Sequence, residues 1–507
     1  MIFDASQLPS GHVVRADLVV VGSGAGGATV AMVAAEAGLD VVVLEAGSFI
    51  TPGEMNQREE EMLPRLLWDS GARTTVDRAV RIHQGKGVGG STLHNLNLCK
   101  RIPSSILSSW HRDRALSHLP LDAWDRLYTE VESLIGVSEV SLGLRSRHNQ
   151  LLQRGCEALG WAGGPTRHNR TGCVGSGFCE VGCAYDGKNN ALKVMITRAV
   201  KAGARILTHC QAVRVSHRGG GARGVEAALI DPVTGRARGE LRVEATKVCL
   251  SASATATAAL LLRSRVPDPG GETGRGLRVH PAVVVAGVFD EPVRAWEGIP
   301  QSYECTEWLD FDDRPDSHRL WLIPAFAHPM GLATMLPGHG SVHAELMGRY
   351  AHLGAFTAML HDRSAGTVEP RGDLGLGIDY WPDDEDRREL ALGFEVCAKL
   401  LLAAGARRVM VPAATPLTLT PGEDLGHLRH LEIHRGEVAL TAVHPMASVP
   451  MGDDPSVAAV DSAGRHHHLA GLWVADASLF PTSIGVPPQL STYAMGLHVG
   501  RGLVEAG

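Results

Sequence analysis

Three groups of residues have the types and spacing to do chemistry. The first is G-x-G-x-x-G at Gly22, Gly24 and Gly27, followed by an acid at Glu45. Glycines so spaced allow a tight turn, close approach of the backbone to a pyrophosphate, and close packing of helix on strand. A helix starting there offers free N–H groups and a positive dipole end to phosphate oxygens. A carboxylate at the end of the next strand can accept from ribose hydroxyls. The second group is Lys86-Gly87-Val88-Gly89-Gly90-Ser91-Thr92, too glycine-rich to be regular. Its backbone could lie flat against a planar ligand and donate N–H groups to it. Leu93, Leu96 and Leu98 follow at once and read as buried, which argues against a flexible surface loop. The third is His444, in TAVHPMASVPMG, within the stretch 441–503 that holds the densest set of polar and turn-forming residues. A histidine is the commonest side chain for moving a proton near neutral pH.

Each group needs an element to hold it. Leu18 to Val21 is a β-branched run ending in glycines, and a small-residue helical pattern runs from Ala25 to about Ala37, where Gly38 stops it. Val41 to Leu44 then leads into Glu45. Strand, helix, strand and terminal acid predict a βαβ unit that binds a dinucleotide. Residues 52–79 are charged and irregular, and residues 121–160 read as helical on a 3.6 period. A helix is expected from Ala191 to about Ala202, then strands at 204–207, 212–215 and 247–251, then a small-residue helix. The β-α-β rhythm thus returns after a long insertion, as if a nucleotide domain were split. Residues 283–361 are mixed, with strand-like runs RLWLIPAFA (319–327) and LGAFTAMLHD (353–362). Residues 384–404 form an amphipathic helix that Gly405 ends. The triplet His466 to His468 reads as a turn before a strand, since no partner ligands stand at metal-site spacing.

Bulk properties narrow the class. A chain of 507 residues is too long for one core, and 44% apolar with 20% charged residues is ordinary for a globular protein. The net charge of −7 speaks against nucleic acid or an anionic membrane as partner. No apolar run is long enough for a transmembrane helix, and the N-terminus has no basic-then-apolar leader, so a cytoplasmic location is expected. Nine cysteines, an odd number in a long chain, do not read as a secreted disulfide framework.

Taken together, GSGAGG with Glu45, GKGVGGSTLHN, GLRVHP (276–281), and HPMASVPMG with VADASLFPTSIGVPP resemble the glucose-methanol-choline oxidoreductase family of FAD enzymes. The resemblance covers most of the chain, and residues 364–409 look like its long-chain alcohol oxidase branch. It implies an α/β fold with a discontinuous Rossmann-like FAD-binding domain (1–103, 185–282 and 441–507). It also implies an α+β substrate domain (104–184 and 283–440) whose antiparallel sheet roofs the flavin. By resemblance, Gly22, Gly24 and Gly27 would hold the FAD pyrophosphate and Glu45 the adenosine ribose, while Gly89, Gly90, Ser91 and Asn95 would line the flavin. Val213 would offer backbone contacts to adenine, and Asp476 and Ala477 would lie near the pyrophosphate and ribityl chain. His444 would face the flavin ring and take the hydroxyl proton of an alcohol while hydride passes to flavin N5. The apolar runs of the second domain point to a fairly apolar alcohol, with oxygen, a quinone or another protein taking the electrons.

The chain departs from the family pattern at Pro487 and Ser253. Pro487, in GVPPQL, stands where the family has a second histidine or an asparagine, so half of the usual clamp on the substrate oxygen is missing. Gln489 or Asn95 are the candidates to replace it; His498 lies about three helical turns further on. That loss keeps open a lyase or light-driven decarboxylase, or a flavin-binding accessory protein without turnover. Ser253 replaces a glycine in the family's AAGA turn. Cys173, Cys179 and Cys183, at C-x5-C-x3-C, resemble the cysteines that hold a three-iron cluster in some FAD-dependent sugar dehydrogenases of the family. The competing readings are buried thiols, or one disulfide plus a free cysteine, and the expectation is that no metal is bound.

Overall fold

The computed structural model describes residues 1–312, 314, 317–325 and 328–506. Its centre is a six-stranded parallel sheet in the spatial order Ile2–Asp4, Arg205–Thr208, Val41–Leu44, Leu18–Val21, Lys247–Leu250, Leu472–Val474. Its two central strands, Leu18–Val21 and Val41–Leu44, are continuous apolar runs buried at every position, as a sheet covered on both faces requires. The strands come from three distant stretches of chain, which is why the β-α-β rhythm is interrupted in the sequence.

The helix Ala25–Glu36 leaves the first central strand, and the last helix, Gln489–Glu505, packs along it. Two glycines of the last helix make this contact close. A Cβ at Gly496 would lie 2.7 Å from the Thr29 Cβ, and one at Gly500 3.2 Å from the Val33 Cβ. Beside the parallel sheet, Cys210–Arg218, Gly221–Ile230, Ala237–Glu244 and His12–Arg15 form a four-stranded sheet.

A nine-stranded, mostly antiparallel sheet covers the open end of the nucleotide fold. Its main path runs through Arg408–Val411, Ala282–Val288, Leu353–Leu360, Leu320–Pro324 and Tyr303–Cys305. The helix Asp384–Ala403 packs across it, capped by the Asp383 carboxylate, which accepts from Asp386 N–H at 2.9 Å.

Several expectations need adjusting. The predicted helix from Ala191 opens as a π-helical turn, Leu192–Ile196, before Thr197–Lys201. The helical stretch 121–160 divides into Leu121–Leu134 and Arg147–Leu159, separated by a short strand and a turn. Of RLWLIPAFA, Leu320–Pro324 is strand, and residues 326–327 lie outside the described residues. Two short helices, Pro329–Met335 and Gly340–Gly348, were not foreseen, because Pro, Gly and His interrupt their period.

Candidate active site

A cavity of about 940 Å³ runs between the parallel sheet and the large antiparallel sheet. The first turns of three helices line it: Gly24 to Gly26, Ser253 to Ala256, and Gln489 to Thr492. Their positive dipole ends suit an anionic ligand. The two glycine motifs meet face to face, since a Cβ on Gly90 would lie 2.8 Å from the Gly24 Cα. Gly24 itself is open, with nothing nearer to its missing Cβ than the Gly90 Cα at 3.9 Å. Gly22, at φ +95°, turns against the Ser251 carbonyl. Gly27 does not line the cavity: its missing Cβ would sit 2.0 Å from the Gly22 carbonyl oxygen, so it serves helix–strand packing. Gly26, which the motif does not single out, is tighter still, 1.7 Å from the Ala475 oxygen.

Two buried carboxylates hold this cradle. Glu45 accepts from Ser23 N–H (3.2 Å), Ser23 Oγ–H (2.5 Å), Gly47 N–H (2.9 Å) and Gly87 N–H (3.1 Å). It lines the cavity, yet its lone-pair positions already join the first glycine motif to the second. Asp476 accepts from Ser253 N–H (3.0 Å), Thr257 Oγ1–H (2.6 Å), Ser478 N–H (2.9 Å) and Ser478 Oγ–H (2.5 Å). Burial pushes its carboxyl above the usual range. Ser253 sits at φ +81°, a left-handed conformation that a glycine would take without strain. Gln84 Nε2 donates to its hydroxyl at 3.1 Å.

Gly90, Ser91, Asn95 and Ala477 line the cavity. Gly89 and Val213 do not. Gly89 (φ +112°) makes the turn and packs on Leu93. Val213 is the bulged residue that the strand register skips between Ala212 and Arg214, and its neighbours Cys210, Gln211 and Ala212 face the cavity instead.

At the far end His444 meets a second histidine. His444 Nδ1 lies 3.1 Å from His280 Nδ1, with the rings nearly perpendicular. His280 Nε2 accepts from Gly485 N–H at 3.0 Å. Burial pushes His444 down to about 3, and burial with the neighbouring His444 and His361 holds His280 well below its usual value, so both rings are neutral. The buried Asp362 carboxylate anchors the arrangement, accepting from Val279 N–H (3.0 Å), His280 N–H (3.3 Å), Tyr380 Oη–H (2.9 Å) and Ser483 Oγ–H (2.8 Å). It thereby ties the GLRVHP strand to the SIGVPP loop. His280 stands in a quoted motif, but nothing in the spacing paired it with His444.

Pro487 lines the cavity, and Gln489 does not replace it. Gln489 Nε2 donates to Leu98 O (2.7 Å) and Asn169 Oδ1 (3.1 Å), and Asn95 Nδ2 donates to Gln489 Oε1 (2.7 Å). Asn169 Nδ2 in turn donates to Asn189 O (2.8 Å). Two backbone carbonyls therefore fix the direction of the whole chain of amides. Among the described residues Asn95 Oδ1 is buried with no donor, an acceptor available to a ligand. His498 lies elsewhere, bonded to the Ser462 carbonyl.

The cavity that His444 lines has a largely apolar wall, Leu98, Ala282, Val284, Trp321, Ile323 and Met359, with Gln301 and Thr357 as its polar members. Trp321 is held by Glu304, to which its Nε1–H donates at 2.5 Å. At another wall Glu59 caps the helix Pro329–Met335, accepting from Met330 N–H (2.7 Å) and Gly331 N–H (3.3 Å). Glu180 lines the cavity too, and burial together with the charge of Glu59 raises its pKa to about 7.

Cys173, Cys179 and Cys183 are free thiols around a separate small cavity that Lys188 also lines. Among the described residues no group of three or more His, Cys, Asp or Glu is arranged to hold a metal ion. Lys188, fully buried, donates to Leu93 O (3.0 Å), Asn95 O (2.6 Å) and Cys179 O (3.0 Å). It pins the cysteine loop to the segment carrying Asn95, a role the sequence did not disclose.

Family models described as GMC oxidoreductase match residues 63–282 and 362–496. An uncharacterised GMC-type oxidoreductase of Mycobacterium tuberculosis is 36% identical over 97% of this chain and 76% of its own. A long-chain-alcohol oxidase of Arabidopsis thaliana is 28% identical over 97% of this chain and 68% of its own. Among solved structures, pyridoxine 4-oxidase from Mesorbium loti superposes with a TM-score of 0.71 at 19% identity, covering 96% of this chain and 98% of its own. A formate oxidase of Aspergillus oryzae does so at 0.71 and 14%, covering 98% and 99%. Among the described residues no helix is long and apolar enough to cross a membrane. With its cradle of opposed glycine motifs, three helix N-termini and an unpartnered acceptor at Asn95, all of which fit FAD, this chain belongs to the GMC oxidoreductase family, whose cofactor is FAD.

Proposed function

We propose that this protein is an FAD-dependent oxidoreductase acting on the CH–OH group of a fairly apolar alcohol, with His444 at the reacting oxygen. The observation that carries this reading is the position of His444: it opens into an apolar chamber that continues from the glycine cradle. FAD, when bound, supplies the hydride acceptor. The chain supplies the rest. Gly22, Gly24 and the helix N-termini would hold the pyrophosphate, Gly90, Ser91 and Asn95 would line the ring, and the chamber walls would exclude water from the reacting carbon. As the alcohol is oxidised its oxygen becomes more basic, and a side chain that takes or shares its proton lowers the barrier. His444 is assigned that task as general base, with oxygen, a quinone or a partner protein as the final electron acceptor.

The test is anaerobic flavin reduction by a panel of alcohols varied in chain length and ring content, after acid release of the cofactor has identified it as FAD. Bleaching by apolar alcohols is expected, and His444→Ala should lower that rate by about two to four orders of magnitude while FAD stays bound. A second reading, non-oxidative chemistry on the same flavin, draws on Pro487 and on the engaged amide of Gln489, neither of which supplies the second half of an alcohol clamp. Absence of bleaching by every alcohol in the dark would favour it.

A further inference from the structure

Two hydrogen bonds decide where the protons of the histidine pair sit. Gly485 N–H donates to His280 Nε2 at 3.0 Å, and a nitrogen that accepts a hydrogen bond carries no proton. A neutral imidazole keeps its proton on the other nitrogen, so His280 is protonated at Nδ1. That nitrogen faces His444 Nδ1 at 3.1 Å, and the single proton between them belongs to His280. His444 therefore accepts at Nδ1 and carries its own proton on Nε2. The opposite arrangement would put a proton on His280 Nε2, pointing at the Gly485 N–H.

Gly485 is well placed to enforce this. It stands at φ +65°, and its missing Cβ would lie 2.5 Å from Phe311 Cε1 and 3.0 Å from His361 Cγ. Nearby, Ser483 is bonded to Asp362, the carboxylate that also takes the His280 backbone N–H. Both partners of the Gly485–His280 bond are thus held through one buried group.

We propose that the Gly485 amide, acting through His280, holds His444 in its Nε2–H tautomer, so that the resting site presents a hydrogen-bond donor to the ligand oxygen. This rests on the reading that His444 faces the substrate oxygen. Gly485 and His280 are positioning residues. A ligand whose oxygen only accepts hydrogen bonds is favoured in the resting site. His444 becomes a proton acceptor at Nε2 only when the pair inverts, each ring keeping one proton: that of His280 on Nε2, that of His444 on Nδ1, and the Gly485 N–H displaced.

The experiment is nitrogen-15 NMR of the oxidised holoenzyme with labelled histidine, the two rings assigned through His280→Gln and His444→Gln. His280 protonated at Nδ1 and His444 at Nε2 are expected. His444 protonated at Nδ1, or at both nitrogens, would overturn the proposal whether or not any alcohol reduces the flavin. A second measurement uses His280→Glu, whose carboxylate accepts from both Gly485 N–H and His444 Nδ1–H and so inverts the tautomer. A neutral alkyl sulfoxide, which can only accept, should bind this variant at least tenfold more weakly than the parent, read from the flavin absorbance. Equal affinity in a folded, FAD-loaded variant would count against the proposal.

Discussion

At the residue scale, the proposed reaction turns on the polar side chains at the His444 end of the cavity. His444 is backed by His280, Asn95 offers one free acceptor, and Pro487 adds nothing polar. A hydrogen bond missing from a developing alkoxide costs roughly 3 kcal/mol, or a hundredfold or more in rate. Pro487→Asn is therefore expected to speed flavin reduction by apolar alcohols tenfold or more, about 1.4 kcal/mol in barrier. The comparison needs parent and variant with equal FAD content. A fast parent with no gain in the variant would mean that the oxygen is already fully held.

At the element scale, the glycines of one motif do different work, and substitution should separate them. Gly27→Ala places a methyl 2.0 Å from a backbone oxygen that cannot move without parting helix from strand. The loss of stability should be about 3 kcal/mol or more, visible in the thermal midpoint of the apoprotein. Gly24→Ala meets nothing nearer than 3.9 Å within the protein. It should fold at the parent's midpoint and yet bind FAD at least tenfold more weakly, since its methyl occupies the cradle. Equal FAD affinity in both proteins would remove Gly24 from the site. The cysteine loop is a further test at this scale. Iron and sulfide assays on anaerobically prepared protein are expected to find well under one iron atom per chain, and a yield near three would restore the cluster reading.

At the scale of the whole molecule, the cavity separates two sheets and is bordered by a pair of acids. The pKa of Glu180 is raised from 4.5 to about 7 by burial and by Glu59. Between those values the native state binds more protons than the unfolded chain, so stability falls as pH rises through the window. The contribution is fully present below pH 4.5 and gone above about 7. Glu180 keeps partial exposure, which limits the effect to about 1–3 kcal/mol. Glu180→Gln should flatten the denaturant midpoint across this range. An unchanged slope would show that Glu180 titrates normally.

The sequence by itself determined what is local. The βαβ unit was legible because a β-branched run, glycines at fixed offsets and a small-residue helix act within a few tens of residues. His444, Asn95 and Asp476 were legible because their motifs are short and contiguous, and all three line the cavity. The tertiary structure decided what depends on pairing between distant segments. No spacing places Gly485 beside His280 or His280 beside His444, because a hydrogen bond across the sheet has no periodicity along the chain. The same holds for Glu45, whose motif suggested a ribose contact while the fold delivers four donors to it from Ser23, Gly47 and Gly87. It holds for Gln489, whose amide was free in the sequence and is engaged in the fold. Residue type limits what a side chain can donate or accept; only folding determines which of those bonds are already made, and so which atoms remain for a ligand.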